Sequence, residues 1–272
     1  MKQVIVITGA TGGIGSMLAE GLIDAHRHFV CIGRSENKLV KLVENLAHTH
    51  RRHAAQYSYQ VADMQNQRDV ERAINNIVHQ HGKVDMWINN VGVNHHDAMG
   101  PSWTIDPVMW QQEVEANLYS AYLGSAAAIN IMKSQPRGYI VNFGGGGADQ
   151  PKTYGSAYGA AKAAVVKFTE TLQQELRAEQ VPLCAFCINP GFIKNERTLK
   201  LTNSTVATDY MPHLKAAMDS GQMSDINDTL WLLNSMLSGE LDHLSGRYLL
   251  ADTIQQNLKQ PIGHDQFCLR VQ

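Results

Sequence analysis

Short apolar runs alternate with longer amphipathic ones along this chain. "QVIVIT" gives way to helical spacing over 14–25, "FVCIG" to 36–50, "YSYQVA" to 66–81, "VDMWIN" to 108–133 and "YIVNFG" to 156–179, before "PLCAFCIN". Apolar residues at every third or fourth position predict helices, whereas short β-branched runs bounded by turn residues predict strands. Strands that are apolar on both faces and separated by helices predict a parallel sheet, covered on each side through right-handed crossovers. The expected fold class is α/β, a doubly wound parallel sheet in a single domain over 1–250, with 251–272 as a C-terminal tail. No repeat or low-complexity linker interrupts the rhythm.

After Pro190 the pattern changes. Residues 194–222 are polar and irregular, followed by a predicted helix near 224–237 and a short strand at "GRYLLA". Irregular chain beyond the sixth strand leaves the carboxyl ends of the strands, where substrate contacts usually form. A surface excursion without a ligand is the alternative.

Length and charge narrow the function. The 272 residues suffice for one full α/β core, and a net charge of -2 with 18% charged residues supplies no basic field for nucleic acid or an anionic membrane. The first apolar run is too short to span a bilayer and breaks into glycines where a cleavable signal would continue. A cytoplasmic protein acting on a small molecule is expected, with no nucleic-acid or membrane partner. The four cysteines are too scattered for a disulfide framework, so free thiols are expected. Cys184 and Cys187 form a C-x-x-C, but in a strand they face opposite sides of the sheet. The twelve histidines, including His48, His50, His53 and the pair His95-His96, match no metal-ligand spacing, so no metal is expected.

"TGATGGIG" follows the first strand and opens the first helix. Gly9, Gly13 and Gly15, with Thr11, Gly12 and Ile14 between them, allow a tight turn and close approach to a pyrophosphate, whose charge helix N-terminal amides can meet. The second strand ends in "CIGRSENKL", with Gly33 and Arg34 where an acidic residue would hold a ribose diol. A planar cation there suits a 2′-phosphate, so NADP(H) is favoured, with NAD(H) as the alternative. Lys38 is a second cation on the following helix. Asp63 and Met64 close the third strand, where the carboxylate can accept from adenine or cap a helix. Asn89, Asn90 and Gly92 in "INNVG" suit backbone beside the adenosine ribose.

Taken with "YGAAK", these motifs resemble the short-chain dehydrogenase/reductase family over nearly all of 1–250. "TGATGGIG" is similar to its T-G-x-x-x-G-x-G loop, "NNVG" to its N-N-A-G, and Tyr158 and Lys162 to its Y-x-x-x-K. Independently, residues at i and i+4 share a helix face, so the Lys162 ammonium can lower the Tyr158 phenol from about 10 toward working pH. Such a phenol can give a proton to a carbonyl or take one from an alcohol. The resemblance further implies a Rossmann fold, a nicotinamide cofactor whose ribose Lys162 holds, Asn117 supporting a water chain behind it, and a homodimer or homotetramer built on the helices 108–133 and 156–179. It also implies that "INPGF" receives the carboxamide on backbone at Pro190, Gly191 and Ile193, with Asn195 where the family commonly has threonine.

One departure stands out. The family's serine lies thirteen residues before the tyrosine, which here is Gly145, within "NFGGGG" starting at Asn142. Losing one such donor typically costs about 10²–10³ in rate. Three outcomes follow: a nearby hydroxyl (Thr153, Tyr154 or Ser156) substitutes, the amides of Gly145 to Gly147 form an anion nest, or the chain is a non-catalytic cofactor-binding sensor or scaffold. An epimerase or dehydratase with retained cofactor is a further alternative to the expected oxidoreductase. The tail departs too, and "FCLRV" is expected to close over the pocket or dock on a neighbouring subunit because it is costly to leave wet.

Overall fold

The computed structural model describes residues 2–51, 55–259, 263 and 266–269. Among them seven strands form one parallel sheet in the order β3-β2-β1-β4-β5-β6-β7. The strands are β1 (Gln3–Thr8), β2 (Arg27–Gly33), β3 (Gln56–Val61), β4 (Met86–Asn89), β5 (Gly138–Phe143), β6 (Leu183–Asn189) and β7 (Tyr248–Leu250). The sequence order reverses direction between β1 and β4, which opens the crevice that ligands of such sheets occupy.

Alternation along the strands sorts the core into two layers. Ile5 and Ile7 of β1 face α1 (Gly13–Gly21), α2 (Glu36–Thr49) and the late helix Ile226–Ser238. Val4 and Val6 face the opposite layer of α3 (Gln67–His81), α5 (Ser120–Met132) and α6 (Ser156–Ala178). Helix boundaries follow their capping residues. Asn66 accepts from the Arg68 and Asp69 amides at the start of α3, and Gly82 ends it at φ 67°. Asp106 accepts from the Val108 and Met109 amides, with Pro107 opening α4 (Pro107–Val114).

The helix expected over 108–133 is broken in the middle. A π turn at Glu115–Tyr119 separates α4 from α5 and contains Asn117. Such single π turns occur often at functional positions. Residues 194–222 fold into three short helices, α7 (Glu196–Thr202), α8 (Thr205–Tyr210) and α9 (Pro212–Asp219), before α10 (Ile226–Ser238). Polar periodicity over six to eight residues is too brief to register as helical in the chain alone.

Asn89 sits away from the position expected for it. It is 3% exposed, receives the Trp87 indole N–H at 2.8 Å, and donates to Asn142 Oδ1 at 2.8 Å. Ser125 donates to the same Asn142 oxygen at 3.1 Å, and Asn142 donates to Thr169 at 2.9 Å. These buried amides satisfy one another, as buried polar groups must, and tie β4 and β5 to α5 and α6 just below the crevice.

The described end of the tail packs on its own chain. The Tyr248 amide donates to Phe267 O at 2.8 Å, and Phe267 and Leu269 pack against the core. α11 (Ile254–Asn257) leads into it. Arg270 and Val271 of the tail, and His53, lie outside the described residues.

Candidate active site

The nucleotide end is built mostly from backbone. Gly9 follows β1 at φ 63°, a left-handed conformation that favours glycine. Thr8 Oγ1 accepts from the Asn90 amide at 3.1 Å, and Asn90 Nδ2 donates to Thr8 O at 3.0 Å and Gly9 O at 3.2 Å. Asn90 thereby staples the β4 loop to the glycine loop. Gly9, Thr11, Gly12, Gly13 and Ile14 line a cavity of about 910 Å³. Gly15 lies beneath that wall, where a Cβ would come within 2.4 Å of Gly9 O, so its part is helix-to-strand packing.

Most of the other residues singled out by the motifs face the same space. Gly33, Arg34, Asp63, Met64, Asn90 and Gly92 all line the same cavity. Arg34 is exposed there and makes no hydrogen bond or ion pair with the described residues. Asp63 accepts from the Gln65 amide at 3.0 Å, so it shapes its own turn while facing the cleft. Lys38 does not line the cavity; it lies close enough to Glu196 to lower that carboxyl slightly.

On the far side Pro190, Gly191 and Ile193 complete the wall. Asn195 caps α7 by accepting from the Arg197 and Thr198 amides at 3.0 and 3.2 Å, with Thr198 bonding back to it. The same asparagine packs so closely on the glycine loop that a Cβ at Gly13 would lie 2.5 Å from its own. A capping box fits asparagine as well as threonine. Thr198, Leu201, Leu214 and Ala217 from α7 and α9 also line the cavity, which makes 194–222 its roof.

Tyr158 and Lys162 meet at the carboxyl end of β5, and both line the cavity. Lys162 is 3% exposed, donates to Phe143 O at 2.9 Å, and holds its ammonium 5.5 Å from the Tyr158 ring centroid. Burial lowers that ammonium to about 8, with Cys187 opposing and Arg197 adding. Tyr158 moves opposite to the sequence expectation. Burial raises its phenol above the usual value, opposed by Arg197 and reinforced by Glu113. In this enclosed cleft desolvation outweighs the neighbouring cations.

Asn117 is 1% exposed and does not line the cavity. Its Nδ2 donates to Val93 O and Glu113 O, each at 2.9 Å, and its Oδ1 accepts from the Val93 amide at 3.3 Å. It pins the loop after β4. A Cβ at Gly92 would lie 2.9 Å from Asn117 Oδ1 and 3.2 Å from Lys162 Nζ, so the three stand together.

Gly145 has a spatial explanation. A Cβ at this position would come within 2.4 Å of the Tyr158 hydroxyl, so the phenol occupies the volume that a side chain would need. Tyr248 donates to Gly145 O at 2.9 Å and holds the strand end in place. None of the nearby hydroxyls lines this cavity: Thr153, Tyr154 and Ser156 line a second recess with Trp103, and of the segment 152–156 only Lys152 borders both. Tyr154 is 38% exposed and packs on Tyr210, and Ser156 accepts from the Trp110 indole at 3.1 Å.

Three charged residues went unread in the sequence. Lys152 lines the cavity 5.3 Å from the Tyr158 ring centroid, and Arg197 lines it while donating to Gly92 O at 2.6 Å. Glu113 is 1% exposed and accepts from the His95 amide at 2.8 Å. Burial pushes its carboxyl up to about 7, against the His95 amide and the cations Arg197, Lys152 and Lys162. The one local hint was its place four residues before Asn117. Of the histidine pair, His95 lines the cavity and His96 faces Asp97 in solvent. Among the described residues no group of three or more candidate ligands could hold a metal.

The short-chain dehydrogenase family model matches residues 3–205. The chain belongs to that family. The chlorophyll(ide) b reductase NOL of Oryza sativa subsp. japonica is 30% identical over 71% of this chain, a match spanning 56% of that reductase. The diacetyl reductase [(S)-acetoin forming] of Staphylococcus epidermidis strain ATCC 12228 is 25% identical over 93% of this chain and 98% of its own. In fold, the L-sorbose reductase of Gluconobacter frateurii, solved with NADPH and L-sorbose, superimposes with a TM-score of 0.79 at 21% identity. That superposition covers 92% of this chain and 95% of the reductase. Family membership makes the chain an NAD(P)-dependent dehydrogenase/reductase with a Rossmann-type single domain. No helix among the described residues is long and apolar enough to cross a membrane.

Proposed function

We propose that this chain is an NADP(H)-dependent oxidoreductase interconverting a carbonyl and a secondary alcohol in a small molecule. The observation that carries the reading is the convergence of Tyr158 and Lys162 on the cavity, with the Tyr158 hydroxyl in the volume left by Gly145. The cavity fits the cofactor on several counts. Its floor has a left-handed Gly9 and the open amides of α1, its β2 tip offers Arg34 with no acidic neighbour in the wall except Asp63, and Asn94 Oδ1 is buried in it without a partner. An acceptor left unpaired in a cavity wall invites a ligand donor.

A bound nicotinamide supplies or accepts the hydride. The chain's residues do the rest. Arg34 would meet the 2′-phosphate, Lys162 the nicotinamide ribose, and the backbone at Pro190, Gly191 and Ile193 the carboxamide. Tyr158 gives its proton to the carbonyl oxygen in reduction and takes one back in oxidation. Burial raises its phenol, so the proton it gives stays on the tyrosine near neutrality until the carbonyl oxygen takes it. Asn117 holds residues 92–94 against Lys162, and a water chain behind the lysine would carry the replacement proton.

The reading extends to a cytoplasmic homodimer or homotetramer. Tyr119 and Tyr122 are 40% and 48% exposed and stack at 6.1 Å on the α4–α5 face, apolar area that a second copy would cover. Light scattering tests that point. The central test follows NADPH oxidation against a panel of aldehydes and ketones. Wild-type turnover falling by about 10²–10⁴ in Tyr158→Phe, with NADPH binding unchanged by fluorescence, is expected. Tight NADPH binding without Tyr158-dependent turnover supports the sensor, and product formed without net cofactor oxidation supports an epimerase or dehydratase.

A further inference from the structure

A carbonyl oxygen beside Tyr158 calls for a second hydrogen-bond donor; Gly145 has no side chain to give one, and the hydroxyls of 153–156 do not line the cavity. Lys152 stands in the right place. Its aliphatic stem runs through a slot of glycines: a Cβ at Gly147, Gly155 or Gly159 would meet Lys152 carbons at 2.6, 3.0 and 3.2 Å. Gly147 also has φ 92°, so that turn excludes side chains on two grounds. Gly147, Gly155 and Gly159 are thus what let a long side chain reach inward.

The end of that side chain is unpaired. Lys162 spends a donor on Phe143 O, whereas the Lys152 ammonium makes no hydrogen bond or ion pair with the described residues. It faces the Tyr158 ring in the cavity wall. Burial lowers its pKa, and Glu113 opposes the shift. A half-buried ammonium without an acceptor is unfavourable unless a ligand oxygen completes it.

We propose that Lys152 replaces the missing hydroxyl as the donor that holds the substrate carbonyl oxygen beside Tyr158. The inference rests on the oxidoreductase reading above. In reduction, hydride from NADPH bonds to the carbonyl carbon and the C=O π pair moves onto oxygen. The Tyr158 O–H bond breaks and its proton joins that oxygen, giving alcohol and NADP⁺. Lys152 keeps its three protons throughout and donates one hydrogen bond to the developing negative charge, where a preorganised donor acts most strongly.

Three measurements test this. Lys152→Met should lower turnover by about 10²–10³ with NADPH binding intact. In Lys152→Cys, alkylation with 2-bromoethylamine restores an amine of nearly the same length, and turnover should recover; wild type treated alike controls for the native cysteines. This pair decides the matter if Lys152→Met misfolds. The third needs no variant or turnover: acetic anhydride labelling of Lys152 in the NADP⁺ complex should slow when a ketone substrate is added, with exposed Lys41 unaffected. Lys152→Met turning over within about threefold of wild type while Tyr158→Phe is inactive overturns Lys152 and leaves the oxidoreductase standing. Confirmed alkylation without recovery, or labelling indifferent to ketone, overturns it equally. Absence of any Tyr158-dependent turnover in wild type overturns the oxidoreductase reading, and Lys152 with it.

Discussion

The two ends of the cavity are made differently. At the nucleotide end, Gly9 to Gly15 are neighbours in sequence and Asn90 is joined to the loop by hydrogen bonds from its side-chain amide to backbone carbonyls, and the wall is largely peptide. At the substrate end, Lys152, Tyr158 and Arg197 line the cavity as side chains from separate segments, with Glu113 buried within their electrostatic reach. A diphosphate presents the same charge to any chain that binds it, so one loop of fixed spacing serves. A substrate oxygen needs only a donor at a point in space, and that donor can arrive from any element whose backbone leaves a path.

The sharpest way to break the contrast is to restore the family's side chain. Gly145→Ser puts a Cβ 2.4 Å from the Tyr158 hydroxyl, so it should displace the phenol and lower turnover by about 10², the usual cost of an ångström of misplacement. A gain in turnover would show that the substrate end retains the ordinary hydroxyl geometry.

Glu113 offers an effect of intermediate size, read without substrate. Its folded carboxyl titrates at about 7, above the ordinary 4.5, so the folded protein binds more protons than the unfolded one between those values. The stability it contributes is fully present below about 4.5 and lost as pH rises through about 7. Glu113→Gln should therefore match wild type at pH 4 and exceed it at pH 8, by at most about 3 kcal/mol in urea unfolding. Equal pH profiles would mean that Glu113 is no more desolvated than a surface carboxylate.

The smallest effect belongs to the nucleotide end. Arg34→Ala should weaken NADPH binding about tenfold while leaving NADH binding unchanged, the value of one solvent-exposed charged contact. Equal losses for both cofactors would remove the basis for preferring NADP(H).

Much of this molecule was legible in order of sequence. The seven strands, their parallel sheet and the glycine loop follow from local period and spacing, because β-branched runs and left-handed glycines carry their conformational preference wherever they sit. Tyr158 and Lys162 were legible for the same reason, since four residues on a helix set their separation. Asn89 was misplaced because a strand residue one position from the crevice points the other way. For the tail, an apolar segment reveals that it will be buried but not against what, and its described end packs on its own chain.

What the chain determined by itself is the scaffold, the cofactor loop and the Tyr158-Lys162 pair, all products of local geometry. The tertiary structure alone decided the rest. It turned Thr153, Tyr154 and Ser156 into a separate recess, drew Lys152 through the glycines to Tyr158, and buried Glu113 among three cations. It also raised the Tyr158 phenol that spacing had led one to expect lowered. Desolvation and long-range charge depend on which distant segments enclose a group, and that information exists only once the chain has closed around it.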